Sequence, residues 1–345
     1  MHLAIIIVNY NGLNDTMECL ASIHRCDLHR TRIIVVDNGT ELNAGTMILD
    51  RFPDVCYIKS PVNSGWSGGN NLGIEEALRP SSLTTATQTN PIKHHPSDVV
   101  FLLNNDTIVD DQILGVLRDA MERGYDIVGP VINEFDKPQQ IQTQGTAFNL
   151  AESREFFSVI PTLPDASLPP KITDVDIVNG CAVAITRRVI DRIGFIDERF
   201  FLICEESDFC LRAQNAGFRL GVIHRALVWH KHSVSFNRAG KPLQRYYGTR
   251  NLWLLLKKHP IGEKRRGQLA SKLAYFKYQY HIYCHELDLG NPTGASAIAD
   301  GISDALLGRY GARKDRNSCL AKFVDNLFSC VWWLRSGMKR KGLDQ

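Results

Sequence analysis

The sequence predicts an α/β protein: a mostly parallel sheet, a second half fused to it, and a helical C-terminal extension. Three observations carry this. Leu3–Val8 and Val99–Leu103 are continuous apolar runs, as in strands buried on both faces. Strand, helix and strand follow one another within the first 36 residues, the pattern of a βαβ unit with parallel pairing. From Gly262 onward the chain holds helical, aromatic-rich stretches.

Taken in order, Leu3–Val8 is the first strand and ends at the polar turn Asn9-Tyr10-Asn11-Gly12. Met17, Leu20 and Ile23 then recur at helical spacing. Ile33–Val36 is the second strand, with Asp37 at its end, where it could meet a ribose or base or cap the next segment. Val55–Lys59 is a third strand. The run Asn63-Ser64-Gly65-Trp66-Ser67-Gly68-Gly69-Asn70-Asn71-Leu72-Gly73, ahead of a helix at Ile74–Leu78, reads as a phosphate cradle or as a glycine-rich turn. Pro80–Ser97 has no periodicity and reads as a surface loop.

The central strand, Val99 onward, stops at Asn104-Asn105-Asp106. Open α/β sheets bind ligands beyond the carboxyl ends of their strands, so Asn104 and Asp106 stand at the mouth of a site or cap the next helix. Asp106 is a hard oxygen ligand, suited to magnesium or manganese carrying substrate phosphates. Ile113–Met121 is a helix and Asp126–Val131 a strand. Phe135–Thr173, with five prolines, is an acceptor-side lid or an insertion. Ala182–Ile185 is another apolar run, and Arg187–Ile193 a short helix stopped by Gly194. Glu205 and Glu206 precede a helix that runs to Asn215, with Gly217 beyond it. Its dipole favours ionised carboxylates, the state a general base needs, although capping explains them equally. Leu220–His224 and Ala226–Trp229 read as two short strands leading to His230 and His232, of which one is a metal-ligand candidate.

Composition narrows the class. Apolar residues make up 44% and charged residues 22% of 345, enough for an ordinary core. The net charge of +3 gives no argument for nucleic acid as a partner. Nine scattered cysteines without a C-x-x-C pair argue against a disulfide framework or structural zinc and for a reducing compartment. The N-terminus has no basic n-region or cleavage site. No apolar stretch reaches the length of a membrane span. A cytoplasmic protein, placed at the inner face of the membrane if its last helix binds there, is expected.

The order N-Y-N-G, V-V-D-N-G, N-S-G-W-S-G-G-N-N-L-G, L-L-N-N-D-T, N-G-C-A-V-A-I-T-R-R-V, G-F-I-D-E-R-F-F, E-E-S-D-F-C-L-R-A and V-W-H resembles the family 2 glycosyltransferases, especially their rhamnosyltransferase-like branch. The resemblance spans about Leu3 to His259 and implies a GT-A fold: a nucleotide half over about 1–110, an acceptor half over about 111–260, and an extension over 261–345. By motif, Asn9 and Asp37 would flank the nucleotide, and Gly68, Gly69 and Asn70 would approach the donor. Asn104 and Asp106 stand at the D-x-D position, with Asp106 on Mg2+ or Mn2+ and His230 beside it. Glu206, with Glu205 as rival, stands where the family's catalytic aspartate lies, and Arg250 would touch the diphosphate. The implied reaction is inverting transfer of a sugar, rhamnose from dTDP-rhamnose or a hexose from UDP-hexose, to a saccharide or lipid-linked saccharide. An inactive nucleotide-sugar or carbohydrate-binding relative is the alternative, resting on glutamate in place of aspartate. An oxidoreductase or nucleotidyltransferase would need a glycine-rich loop straight after the first strand, which Asn9–Leu13 does not supply.

At the other end, Leu320–Leu334 carries apolar residues at helical spacing and is followed by Arg335, Lys339, Arg340 and Lys341. It is expected to pack on the domain or to lie on an anionic membrane surface.

Overall fold

A computed structural model of the protein describes residues 1–40, 44–80, 95–147, 158–159, 170–231, 241–260, 265–314 and 318–340. The chain divides into two units, Met1–Phe201 with Glu205–Val234, and Leu202–Cys204 with Ser235–Gln345.

The first unit opens with β1 (Leu3–Asn9), α1 (Leu13–Ile23), β2 (Thr31–Asn38), α2 (Ala44–Arg51), β3 (Cys56–Ser60), α3 (Gly65–Leu78) and β4 (Val99–Asn104). These strands lie in the order β3-β2-β1-β4, all parallel. The chain steps outward from β1 on one side and returns to its other side with β4, which creates a crevice at their carboxyl ends. Register puts Asn9 beside Asp37, and Asn104 beside Val8, at that edge.

The sheet continues through β5 (Thr107–Val109), α4 (Ile113–Glu122), β6 (Ile127–Glu134), β7 (Ile141–Thr143), the short pair β8 (Thr146–Ala147) and β9 (Ser158–Val159), β10 (Ile172–Asp174), β11 (Ala182–Thr186), α5 (Arg187–Ile193), α6 (Glu205–Asn215) and β12 (Leu220–His230). β11 joins β4 antiparallel, and the order runs on to β6, β12 and β10. β12 is one strand where two were expected; register shifts in its ladder to β6, between Ile223 and Ala226 and between Ala226 and Val228, break its pattern midway. Such irregularities break the alternation that sequence reading relies on.

Both faces of the sheet are covered, as continuous apolar strands require. Leu3, Ile5, Ile7, Phe101 and Leu103 meet α1, α2 and α4 through Leu20, Ile48 and Leu117. Ala4, Ile6, Val100 and Leu102 meet α3, α5 and α6 through Ile74, Ile190 and Phe209.

The glycine-rich run is largely helix, not the open cradle or turn expected. A Cβ on Gly69 would lie 2.7 Å from a Val8 methyl, and one on Gly73 2.3 Å from an Ile6 methyl. These glycines bring α3 close onto β1. Gly65 has φ +73, and its Cβ would stand 2.3 Å from the Phe201 carbonyl oxygen. Gly65→Ala is therefore expected to cost at least about 2 kcal/mol, read as a lower melting temperature. Gly115→Ala, in α4 with nothing within 4 Å, should instead add about 0.5–1 kcal/mol.

In the second unit, α7 (Lys241–Lys258), α8 (Arg265–Asp288), α9 (Pro292–Leu306) and α10 (Cys319–Arg340) are the described helices. α7 thus belongs with the helical unit, ahead of the boundary expected near 260. Gly301 lets α9 approach the Tyr246 carbonyl of α7, and the Tyr246 hydroxyl donates to Asp304 at 2.6 Å. The expected surface loop at Pro80–Ser97 and the lid at Phe135–Thr173 fall in large part outside the described residues (81–94, 148–157 and 160–169), as does His232. The nine cysteines are all free.

Candidate active site

The carboxyl edge of β1, β2 and β4 gathers most of the expected residues. Asn104 ends β4, and its backbone N–H donates to the Cys181 carbonyl at 2.9 Å. The Trp66 indole N–H donates to Asn104 Oδ1 at 3.0 Å. An indole can only donate, so this bond fixes the amide with Nδ2 as its remaining polar end. Asn105 Nδ2 donates to Gly12 O and Thr16 Oγ1. It ties the end of β4 to the turn after β1.

Asp106 follows, buried, and β12 delivers His230 opposite Thr107 in the antiparallel β5–β12 ladder. His230 Nε2 lies 3.1 Å from Asp106 Oδ1, and Nδ1 lies 3.0 Å from Gln142 Oε1. Burial opposes a charged ring, but Cys181 and Asp106 beside it outweigh that and raise His230 to about 10. Lys231 holds this corner: its N–H donates to the Asp106 carbonyl at 2.9 Å, and its ammonium reaches Asp15 and Glu18 of α1 at 2.9 and 2.6 Å.

A carboxylate oxygen and an imidazole nitrogen that would give up its proton to the cation, with Gln142 orienting the ring, suit a divalent cation that takes its other ligands from phosphate and water. Among the described residues no group of three or more His, Cys, Asp or Glu side chains is assembled for a metal. An all-protein cage therefore does not fit, whereas a cation shared with a diphosphate does.

The Asn179–Cys181 turn joins this corner to the carboxylates. A Cβ on Gly180 would lie 3.3 Å from both Glu206 Cβ and the Trp66 ring. Glu206 is half-buried in the first turn of α6. Burial raises its carboxyl above the usual range, while the Glu206 and Ser207 backbone N–H groups pull the other way. Glu205 is buried, and its Oε2 has no hydrogen-bond partner. Burial first, and Glu206 second, push it well above the usual carboxylate range. The dipole argument for an ionised pair thus fails at Glu205, where desolvation dominates.

That has a stability consequence. A carboxyl raised in the folded state contributes stability below its unfolded pKa and loses it as pH rises through the folded one. Glu205→Gln is expected to raise the melting temperature at neutral pH by about 2–4 °C, the equivalent of roughly 1 kcal/mol in a domain of this size. The gain should vanish in acid. An equal shift at all pH values would contradict a buried, titrating Glu205.

Asn9 is buried; its Oδ1 accepts from Gly12 N–H and Thr16 Oγ1, and its Nδ2 has no partner. Asp37 is fully buried and accepts from the Tyr57 hydroxyl at 2.5 Å, Lys59 Nζ at 3.2 Å and Thr40 N–H at 3.3 Å. Sequence reading missed Tyr57 and Lys59, which alternation along β3 places on the same face as Asp37, with Lys59 its register partner in the β2–β3 ladder. Gly68 and Gly69 are buried within α3, and Asn70 Nδ2 donates to the Trp66 carbonyl. These three shape the helix packing rather than an open loop.

Arg250 is corrected most. It is fully buried in the second unit, donates to the Gly311 carbonyl at 2.6 Å and Asn251 Oδ1 at 2.9 Å, and stacks near the Tyr246 and Tyr247 rings at 5.4 and 4.8 Å. A guanidinium enclosed this way is a packing element, not a diphosphate contact.

Residues 4–180 match the model of glycosyl transferase family 2, and residues 99–303 match that of glycosyl transferase family group 2. The chain is 28% identical over 258 residues to the low-salt glycan biosynthesis hexosyltransferase Agl10 of Haloferax volcanii, covering 73% of this chain and 74% of that protein. It is 24% identical over 264 residues to the dTDP-rhamnosyl transferase RfbF of Shigella flexneri, covering 74% and 80%. In structure it is similar to S. aureus TarS (TM-score 0.52, 12% identity, 90% and 83% covered) and to GalNAc-T7 solved with UDP, GalNAc and Mn2+ (TM-score 0.51, 14% identity, 85% and 59% covered). Both share the GT-A fold. With just over half of its residues inside the first family match and the GT-A sheet beneath them, the chain belongs to glycosyl transferase family 2, enzymes that transfer a sugar from a nucleotide sugar.

Proposed function

We propose that the protein is an inverting, divalent-cation-dependent hexosyltransferase of cell-surface polysaccharide synthesis. Its donor is a nucleoside diphosphate sugar, with dTDP-rhamnose first and UDP-hexose second, and its acceptor is a saccharide or a lipid-linked saccharide. The observation that carries this reading is the pairing of Asp106 with His230 at the carboxyl edge, one turn of chain from Glu206. The named activity of RfbF favours rhamnose, and the Mn2+ in GalNAc-T7 favours a cation.

Asp106 and His230 would hold Mg2+ or Mn2+, which when bound neutralises the diphosphate leaving group. Asn104 Nδ2, the end of the amide left over by the Trp66 bond, offers a neutral donor to the nucleotide, whereas the unpartnered Asn9 Nδ2 is buried. Glu206 accepts the proton of the acceptor hydroxyl as that oxygen attacks the anomeric carbon. One base and one in-line displacement invert that centre. A carboxyl raised by burial is the better base at neutral pH, because its conjugate acid matches the working pH more closely. The buried free cysteines agree with a reducing, cytoplasmic setting, and a lipid-linked acceptor would bring the enzyme to the inner face of the membrane.

The test is nucleoside diphosphate release from dTDP-rhamnose and from UDP-hexoses, with Mg2+, Mn2+ or chelator, and the anomeric configuration of the product read by NMR. Cation-dependent release with inversion is expected. Retention of configuration would overturn the single-base mechanism. Donor binding with no turnover on any acceptor would favour an inactive binding relative.

A further inference from the structure

Helix α10 is apolar on two faces, and one of them has no partner among the described residues. On the packed face Ala321 and Val324 are buried, the Phe328 ring meets Tyr280 and Tyr283 at 5.2 and 5.3 Å, and the Trp332 indole donates to Asp288 at 2.9 Å. On the other face Phe323, Leu327, Val331 and Leu334, spaced i, i+4, i+8 and i+11, are 42–63% exposed, and Trp333 beside them is 70% exposed. A helix that only covers a core turns polar side chains outward there. An exposed apolar stripe of this length marks an interaction surface. No described helix is long and apolar enough to cross a membrane, so the stripe is not part of a span.

Charge selects the occupant. Residues 319–340 hold Lys322, Arg335, Lys339 and Arg340 against a single acid, Asp325, a net +3. Asp325 is turned to the helical unit, where it accepts from the Tyr283 hydroxyl at 2.6 Å, while Lys322 is exposed beside the stripe. On α8, Lys272 and Lys277 are exposed next to the exposed Leu273. A second copy docking face to face would set cation against cation. An anionic lipid surface complements both the charge and the apolar stripe, and an exposed tryptophan (Trp333) ahead of basic residues is what an interfacial helix presents.

We infer that α10 lies in the plane of an anionic membrane surface, with Phe323, Leu327, Val331, Trp333 and Leu334 inserted below the headgroups and the exposed Lys322 at their edge. This stands on the helix alone and does not depend on the reaction proposed above.

Co-sedimentation of the full chain with vesicles tests it, using phosphatidylcholine alone and phosphatidylcholine mixed with phosphatidylglycerol. Binding to the mixed vesicles, weakened by added salt, is expected. L327E/V331E should reduce that partition by roughly tenfold or more, given the loss of buried apolar area and the added negative charge. The milder F323S/W333Q, at the two most exposed positions, serves if the first variant is poorly folded. Nucleoside diphosphate binding measured on the same samples reports the first unit separately, so failure of the donor reading and failure of this inference can be told apart. Equal binding by wild type and both variants, or equal binding to the two vesicle types, would overturn it. So would a concentration-dependent dimer in wild type that the variants abolish, which assigns the face to self-association.

Discussion

Asp106→Ala is expected to lower cation-dependent sugar transfer by roughly 10³-fold or more, the equivalent of about 4 kcal/mol of transition-state stabilisation. Asp106 is the carboxylate at the D-x-D position, and His230 alone cannot hold a hard cation against water. The variant should also lose cation-dependent binding of the nucleoside diphosphate. Its fold should persist, because the Asp106 backbone carbonyl, which receives the Lys231 N–H, is untouched. Asp106→Asn separates charge from shape: it keeps the volume and one acceptor but removes the negative charge, and should lose nearly as much activity. Full turnover in either variant, with undiminished response to added Mn2+, would remove the metal role from this residue.

Glu206→Gln is expected to cut the rate by roughly 10²–10⁴-fold, the span of general base catalysis, with little change in nucleotide affinity. Glu206 is half-buried beside Gly180, whereas Glu205 is enclosed, with a carboxyl pushed further toward the protonated form. Glu205→Gln should therefore leave the rate within about tenfold while changing stability as described above. A base must be ionised to work, so wild-type activity should fall as pH drops through the Glu206 pKa. Because burial raises that value, the acid limb should lie above the range of an exposed carboxylate. Glu206→Asp restores the residue type common in the family but draws the carboxylate back by one methylene; a partial rate with the acid limb retained is expected, since small displacements are costly in positioned catalysis. A Glu206→Gln enzyme with unchanged kcat would transfer the base role elsewhere.

The parts of this structure that could be read from sequence are those where one physical effect dominates. β1 and β4 were legible because strands covered on both faces need uninterrupted apolar runs. Asp106 and His230 were named together by motif alone, since 124 residues separate them and only the β5–β12 ladder shows that they meet. The glycine run misled because glycine is costly in a helix; here the cost is met by the close approach of α3 to Val8 and Ile6, a tertiary effect invisible in the local pattern. α2 went unseen because its eight residues bury only Ala44, Gly45 and Ile48, too few to declare a period. Arg250 was assigned to the diphosphate from charge and motif, and its burial among tyrosines depends on packing of helices far apart in sequence. The same is true of Glu205, whose ionisation is set by enclosure and not by its place at a helix start. The stretch before α6 gives no sequence warning either: Phe201, Ile203 and Cys204 all take positive φ, at +66, +70 and +72, costly for side chains of this kind.

The most direct measurement is thermal stabilisation of the full chain by a panel of nucleoside diphosphates, with and without Mn2+, repeated on Asp106→Ala. Stabilisation selective for thymidine or uridine diphosphate, larger with Mn2+ and lost in the variant, is the expected result. A folded wild-type protein that responds to no nucleotide, or responds equally with and without the cation and with and without Asp106, would contradict the assignment of this edge as the donor and metal site.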